Sequence, residues 1–174
     1  MSNKNIWLVS DTHFGHDKMY RFTNDDGSLI RPWAKDAAEG DEIMIENWNA
    51  VVRPDDRVYH LGDVAIPRRA IATLGKLNGR IILIKGNHDI FKLKDYLPYV
   101  QDIRATHKLD RFLLSHIPIH QKSLARWTQG NIHGHMHSNI VMKRGLFKSK
   151  PDKRYINVSV EQTNQTPVNY EEIL

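Results

Sequence analysis

The hydrophobic positions of the chain fall into short runs separated by polar and glycine-containing segments. The clearest runs cover residues 6–10, 57–61, 80–85, 111–115 and 131–133. Each run is rich in β-branched or aliphatic residues and is shorter than a typical globular helix, so each predicts a buried β-strand. Residues 155–160 alternate between apolar and polar side chains, which predicts a half-buried strand. Residues 100–103 and 108–114 are predicted to form a hairpin or two adjacent strands.

Helical periodicity occurs between some of these strands. In residues 41–51 the apolar side chains recur at three- and four-residue spacing, and acidic residues occupy the first turn, where the helix dipole favours them. A second helix is predicted from residue 66 to the stop signal Asn78-Gly79. Residues 14–33 show neither pattern and predict a long polar loop, which in a compact domain is usually functional or mobile. Strands that alternate with helices indicate the α/β class.

The size and composition of the chain fit one globular domain that spans residues 1–174. Hydrophobic residues make up 40% of the chain and charged residues 26%. No apolar run approaches the roughly 20 residues that span a bilayer, and no apolar signal region precedes the first strand. We therefore expect a cytoplasmic protein with no membrane partner. Cysteine is absent, which excludes disulfides, thiolate metal ligands and a cysteine nucleophile.

The charge balance of the chain is basic. The net charge is +5 and the isoelectric point is near 9.4, which favours anionic partners such as phosphate esters or nucleic acid. Between residues 142 and 154, six basic residues are accompanied by Asp152 as the single acid. This segment is either a solvated loop or a flap that faces phosphate or nucleic acid.

Residues that can bind metal ions follow each of the five apolar runs. They are Asp11, His13, Asp63, Asn87, His116, His135 and His137. Because open α/β sheets keep their ligands at the carboxyl ends of the strands, we expect these side chains to meet at one sheet edge. Imidazole, carboxylate and amide donors suit Mn, Fe, Zn or Ni. Seven donors are too many for one ion and fit two divalent ions about 3.5–4 Å apart, with Asp63 as the candidate bridge.

The order of the motifs resembles a known family. Asp-x-His, Gly-Asp, Gly-Asn-His-Asp, a lone His and Gly-His-x-His resemble the calcineurin-like metallophosphoesterases, and are most similar to the small single-domain bacterial and phage enzymes. The resemblance implies a four-layer α-β-β-α sandwich of two mixed sheets with flanking helices. It implies two divalent metal ions, with Mn favoured and Fe, Ni, Zn or Co as alternatives.

The resemblance also implies roles for individual residues. Asp11, His13 and His137 would hold the first ion, Asn87, His116 and His135 the second, and Asp63 would bridge them. His88 would be the catalytic general acid, with Asp89 beside it fixing its tautomer and raising its basicity. Substrate contacts are expected from Asn87, His16 and Arg126, and Arg21 and Arg31 are candidate phosphate clamps. His60, inside a strand pattern, is expected to be a core histidine.

The function implied by the resemblance is hydrolysis of phosphate esters by attack of a metal-bridging hydroxide. The favoured hypothesis is a phosphodiesterase that acts on nucleotide-like substrates or on nucleic acid ends. A phosphomonoesterase acting on nucleotides or sugar phosphates is the alternative. A third hypothesis is a non-catalytic scaffold of the same fold. The presence of Asn87-His88-Asp89 argues against it. The sequence gives no prediction of the oligomeric state.

Overall fold

The computed structural model describes residues 5–124, 128–145 and 148–174. In these ranges the strands are β1 (Ile6–Val9), β2 (Arg57–His60), β3 (Arg80–Ile84), β4 (Asp102–Arg104), β5 (His107–Leu109), β6 (Phe112–Leu114), β7 (Gly130–His133), β8 (Met142–Lys143), β9 (Lys150–Pro151), β10 (Tyr155–Asn157) and β11 (Val168–Asn169). The α-helices are α1 (Ala37–Val51) and α2 (Leu93–Tyr96). Turns of 3₁₀ helix cover Asp17–Tyr20, Arg68–Lys76, Gln121–Ser123 and Tyr170–Glu172.

The strands form two mixed sheets and a separate hairpin. The first sheet has the order β11-β1-β2-β3-β4, in which β1 to β4 are parallel and β11 is antiparallel. The second has the order β10-β7-β6-β5, in which only β5 is antiparallel. Strands β8 and β9 pair antiparallel with each other. The predicted α/β class with two mixed sheets is confirmed.

Alternation along the strands divides the core into two layers. In β1, Trp7 and Val9 belong to a cluster that includes Met44 and Trp48 of α1, whereas Leu8 packs with residues of the second sheet such as Leu114. Strand β3 alternates in the same way between the two clusters. The period of two in strands therefore places helices on one face of the first sheet and the second sheet on its other face.

The helices differ in detail from the sequence predictions. Helix α1 begins at Ala37, earlier than predicted, because the Asp36 side chain accepts a hydrogen bond from the N–H of Glu39 and caps the helix. The second predicted helix is the 3₁₀ helix Arg68–Lys76, and the predicted loop 14–33 contains the 3₁₀ turn Asp17–Tyr20. Among the described residues, none of the helices has the length and apolar character needed to cross a membrane.

The region predicted as a hairpin or adjacent strands is divided between the sheets. The predicted pairing of residues 100–103 with residues 108–114 is wrong, because β4 joins the first sheet beside β3. The chain turns back at residues 110–111 instead, so that β5 and β6 form a hairpin with each other. The two sheets meet where β1 ends. The N–H of Ser10 donates to Val158 at 2.9 Å and the N–H of Val160 donates to Ser10 at 3.1 Å. This junction brings the loop after β1 against the segment after β10.

Candidate metal centre

The loops at the carboxyl ends of β1, β2, β6 and β7 converge on two groups of side chains. Asp11, His13 and His137 form the first, and Asp63, His116 and His135 form the second. Within each group the ligand atoms all lie within 4.8 Å of one another. Parallel strands in register end at the same edge, which explains why motifs far apart in sequence meet here.

Asp63 belongs to the second group and also faces the first. Its Oδ2 atom lies 3.6 Å from Nε2 of His13 and 3.3 Å from Nε2 of His116, one histidine from each group. Its Oδ1 atom accepts a hydrogen bond from the backbone N–H of His88 at 2.8 Å. One carboxylate oxygen is therefore held by the backbone, and the other faces both groups.

Asp11 divides its two oxygens in the same way. Oδ2 accepts hydrogen bonds from the N–H of His135 and the hydroxyl of Ser159, both at 2.8 Å. Oδ1 lies 3.9 Å from Nε2 of both His13 and His137. A side chain on Gly134 would collide with this carboxylate, so the glycine lets the loop after β7 approach Asp11 closely.

Five of the seven predicted ligands have left-handed backbone conformations. Positive φ angles occur at Asp11 (59°), His13 (46°), Asp63 (56°), His135 (68°) and His137 (49°). Residues other than glycine rarely adopt this region, and such strain concentrates at functional sites when the surrounding structure enforces it. The backbone turns sharply at each strand end, and this directs the donors toward a common centre.

The second group is partly open to solvent. His116 is buried, and its Nδ1 lies 2.8 Å from the backbone oxygen of Leu61, which leaves Nε2 facing Oδ1 of Asn87 at 2.9 Å. The contact with the Leu61 carbonyl orients the ring so that Nε2 points toward Asn87 and toward Oδ2 of Asp63. His135 is exposed, and its ring centre lies 5.1 Å from that of His116.

The electrostatics of the site favour the metal-binding forms of two donors. Burial raises the pKa of Asp63, but the hydrogen bond and charge of His116 outweigh it and lower the pKa to about 2. Burial lowers the pKa of His13 well below its ordinary value, and the nearby Arg31 charge lowers it further. An ionised carboxylate and a neutral imidazole are the forms that bind metal ions.

His88 and Asp89 point in opposite directions. His88 is exposed, with its ring centre 5.4 Å from that of His13. Asp89 is buried, and its carboxylate accepts from the N–H groups of Asp63 and Gly86 at 2.8 Å and of Val64 at 3.0 Å. Among the described side chains, no hydrogen bond joins Asp89 to His88. The expectation that Asp89 orients His88 is therefore corrected, because its carboxylate is taken up by the backbone around Asp63.

The predicted substrate-binding residues lie in different environments. His16 lies beside the first group, with its ring centre 5.9 Å from that of His13, and its buried ring nitrogens have no hydrogen-bond partner within the described ranges. Burial lowers the pKa of His16, which favours a neutral ring. Arg21 is exposed. Arg126 lies outside the described residues.

Arg31 is not placed as a phosphate clamp. It is fully buried, and its guanidinium donates to the backbone oxygens of Asp11 and Thr12 and to the Glu161 carboxylate. His60 is buried as predicted; its Nδ1 accepts from the N–H of Gly62 at 3.2 Å, and its Nε2 lies 3.0 Å from the Thr12 hydroxyl.

Sequence reasoning missed two residues beside the centre. Glu161 accepts a hydrogen bond from Nδ1 of His137 at 3.0 Å, and Ser159 holds the Asp11 carboxylate. Neither belongs to a strand-end motif with metal donors. The only available signal was their place at the end of the predicted strand 155–160, within which Ser159 lies and which Glu161 directly follows.

The donor atoms fit divalent cations. Oδ1 of Asp11 and both ring nitrogens of His13 are buried without a hydrogen-bond partner in residues 5–124, 128–145 and 148–174. Buried polar atoms normally have hydrogen-bond partners. Buried metal-ligating atoms that lack such partners and face one another therefore indicate a binding site. Nitrogen and oxygen donors of this kind suit first-row divalent metals.

Comparison with known proteins identifies the class of protein that this fold and site define. Residues 5–162 match the calcineurin-like phosphoesterase superfamily domain. The match spans nearly the whole chain and includes every motif described above. The chain belongs to the calcineurin-like phosphoesterase superfamily.

Individual relatives also match along most of their length. An uncharacterized protein of Methanocaldococcus jannaschii is 35% identical over 182 residues, covering 100% of this chain and 92% of that protein. The gene 66 protein of Mycobacterium phage L5 is 29% identical over 192 residues, covering 90% and 86%. A crystal structure of a protein of unknown function from Aquifex aeolicus has a TM-score of 0.68 at 27% identity and covers 98% of both chains.

Proposed function

We propose that this chain is a metal-dependent phosphodiesterase that acts on nucleotide-like substrates through a centre of two divalent cations. The proposal rests on the calcineurin-like phosphoesterase family and on one geometric observation. That observation is the position of Asp63 Oδ2, which faces one histidine from each group of donors. A single carboxylate oxygen so placed can serve two cations at once.

In this proposal, Asp11, His13 and His137 would hold one cation and Asn87, His116 and His135 would hold the other, and Asp63 would be available to both. When bound, two such cations lower the pKa of a water molecule and neutralise charge on a phosphate. The side chains act by fixing the positions of the donors before substrate arrives. The left-handed backbone and the hydrogen bonds to Asp11 and Asp63 limit the movement of these donors.

His88 is the proposed proton donor to the leaving group. Its ring is exposed beside His13, so substrate can reach it, whereas its backbone N–H is held by Asp63. A histidine can carry a proton near neutral pH and release it in the transition state. His16, beside His13, and Asn87, beside His116, are proposed to contact the substrate.

A basic groove supports the choice of a nucleotide-like substrate. The groove has a volume of about 590 Å³ and lies between the segment that follows His116 and the β8–β9 hairpin. Lys143, Arg144 and Arg154 line it, and Asp152 pairs with Arg154 at 2.6 Å. The lining keeps an excess of positive charge, which favours an anionic ligand, and we propose that this ligand is the part of the substrate beyond the scissile phosphate.

A comparison of matched substrates tests the proposal. The metal-free protein is reconstituted with Mn²⁺, Ni²⁺ or Co²⁺, and hydrolysis of an aryl phosphodiester is compared with hydrolysis of the matching monoester. We expect higher kcat/KM for the diester and the strongest activity on nucleotide diesters. Higher kcat/KM for the monoester would favour the phosphomonoesterase. No turnover of any phosphate ester with any of the metals would favour the non-catalytic scaffold.

A further inference from the structure

A buried ion pair lies behind the first group of donors. Glu161 Oε1 accepts from Nε of Arg31 at 2.8 Å and from Nδ1 of His137 at 3.0 Å. The exposed fraction is 0% for the Arg31 side chain and 2% for the Glu161 side chain. Glu161 follows directly on the Ser159–Val160 segment that pairs with Ser10. It therefore reaches the centre from the junction between the two sheets.

The Arg31 side of the ion pair contacts the backbone of the Asp-x-His motif, residues 11–13. Nη1 of Arg31 donates to the backbone oxygen of Thr12 at 3.0 Å, and Nη2 donates to that of Asp11. The guanidinium carbon lies 5.7 Å from the ring centres of both Tyr20 and Trp33, which cover it. One guanidinium thus connects the loop after β1, through Glu161, to the loop after β7.

Stability alone is a weak reason for this pair. The desolvation of two buried charges offsets much of the attraction between them. Proteins in which such a pair is replaced by apolar side chains are often equally stable. The second group of donors has a different support, because Nδ1 of His116 lies against the neutral carbonyl of Leu61. A carboxylate that accepts a hydrogen bond from a metal-binding histidine fixes the tautomer of the ring. It also makes the other ring nitrogen a stronger metal ligand than a neutral carbonyl would.

We propose that Glu161 and Arg31 are positioning residues for His137 and make the two cation sites unequal. Glu161 accepts the Nδ1 hydrogen of His137, so that Nε2 faces Asp11 Oδ1. Arg31 holds Glu161 in place and holds the backbone of Asp11. The Asp11–His13–His137 site therefore depends on this pair, and the Asp63–His116–His135 site does not. This inference rests on the proposed dinuclear centre.

Cation binding to the Glu161→Gln variant tests the inference without an activity assay. The variant keeps the shape of the side chain and removes its charge. Titration calorimetry with Mn²⁺ is expected to show two sites in the wild type. In the variant, one site should keep its affinity and the other should weaken about 10- to 100-fold. Glu172→Gln, which changes an exposed glutamate, is the matched control and should bind both cations as the wild type does.

The results separate this inference from the proposed function. A wild type that binds no Mn²⁺ would overturn both. A folded Glu161→Gln variant with two wild-type affinities would overturn the positioning role alone. If that variant does not fold, nitrogen-15 NMR of the Zn²⁺-loaded wild type decides. We expect the His137 hydrogen on Nδ1, and a His137 ring without that hydrogen would overturn the inference.

Discussion

The backbone N–H of His88 donates a hydrogen bond to Oδ1 of Asp63 at 2.8 Å. The motif after β3 thus holds the carboxylate that follows β2, and it does so through the backbone. This arrangement turns Oδ2 of Asp63 toward His13 and His116. It also leaves the His88 ring exposed. The structural role of this residue therefore belongs to its backbone, and the proposed catalytic role to its ring.

Asp63→Asn should remove most of the activity. The amide keeps the size of the side chain but not the charge that two cations share. If the paired centre supplies several kcal/mol of transition-state stabilisation, kcat/KM should fall by more than about a hundredfold. The Mn²⁺ content measured by elemental analysis should fall with it. Asp55→Asn, at a surface ion pair with Arg80, is the control and should leave both quantities unchanged. Full activity in Asp63→Asn would exclude the bridging role.

His88→Ala should lower turnover without changing the metal content, because the His88 ring is not among the two groups of donors. General acid catalysis contributes about 10²- to 10⁴-fold. A good leaving group needs little protonation, so the loss should be larger for an alkyl phosphodiester than for an aryl phosphodiester. Steady-state kinetics on the two esters measure this difference. Equal and undiminished rates on both would remove His88 from the mechanism.

Asp89→Ala should destabilise the fold. The substitution leaves the N–H groups of Asp63, Val64 and Gly86 without their acceptor. Unpaired buried donors of this kind should cost about 3–5 kcal/mol in the free energy of unfolding, measured by urea denaturation. Asp55→Ala is the control, because Asp55 and Arg80 form an ion pair that is exposed on both sides, and such a surface pair contributes less than about 1 kcal/mol. Similar losses in the two variants would contradict the role assigned to Asp89.

The difference between His88 and Asp89 marks a limit of sequence reasoning. The strand ends were predictable, because a run of β-branched residues followed by glycine and polar residues is a local signal. Their meeting at one edge followed from the order expected of parallel strands. Which way adjacent side chains point after a strand depends on loop dihedral angles, which the sequence does not display. The sequence therefore identified Asp89 as a candidate site residue, but not as the acceptor of hydrogen bonds from backbone N–H groups.

Long-range polar contacts were a second limit. Glu161 touches His137 and Arg31, which are distant from it in sequence. No spacing rule connects a residue in a loop, a residue after β7 and a residue after β10. Arg31 was a candidate phosphate clamp, whereas in the structure it is fully buried, which is unusual for an arginine. Burial of charged side chains becomes visible only when the tertiary structure supplies their partners.

The stability of the metal-free protein should fall between pH 6.5 and about 3 because of His60. Burial lowers the pKa of His60 to about 3, below the ordinary value of about 6.5 in the unfolded chain. Over this range the unfolded state binds a proton that the folded state does not, so acid favours unfolding. This group should cost about 1.4 kcal/mol for each pH unit below 6.5.

His60→Gln isolates this contribution. Glutamine can replace the hydrogen bonds to Gly62 and Thr12 but does not titrate. Between pH 7.5 and 4.5 the wild type should lose about 2–3 kcal/mol more than the variant, measured by urea denaturation. Parallel pH profiles for the two proteins would contradict the assignment of a neutral buried His60.

Anomalous diffraction from crystals grown with excess Mn²⁺ tests the central claim most directly. Two anomalous peaks are expected about 3.5–4 Å apart, one among Asp11, His13 and His137 and the other among Asp63, His116 and His135. Asp63 should contact both peaks. Crystals with no anomalous peak among these side chains, or with peaks only elsewhere on the surface, would contradict it.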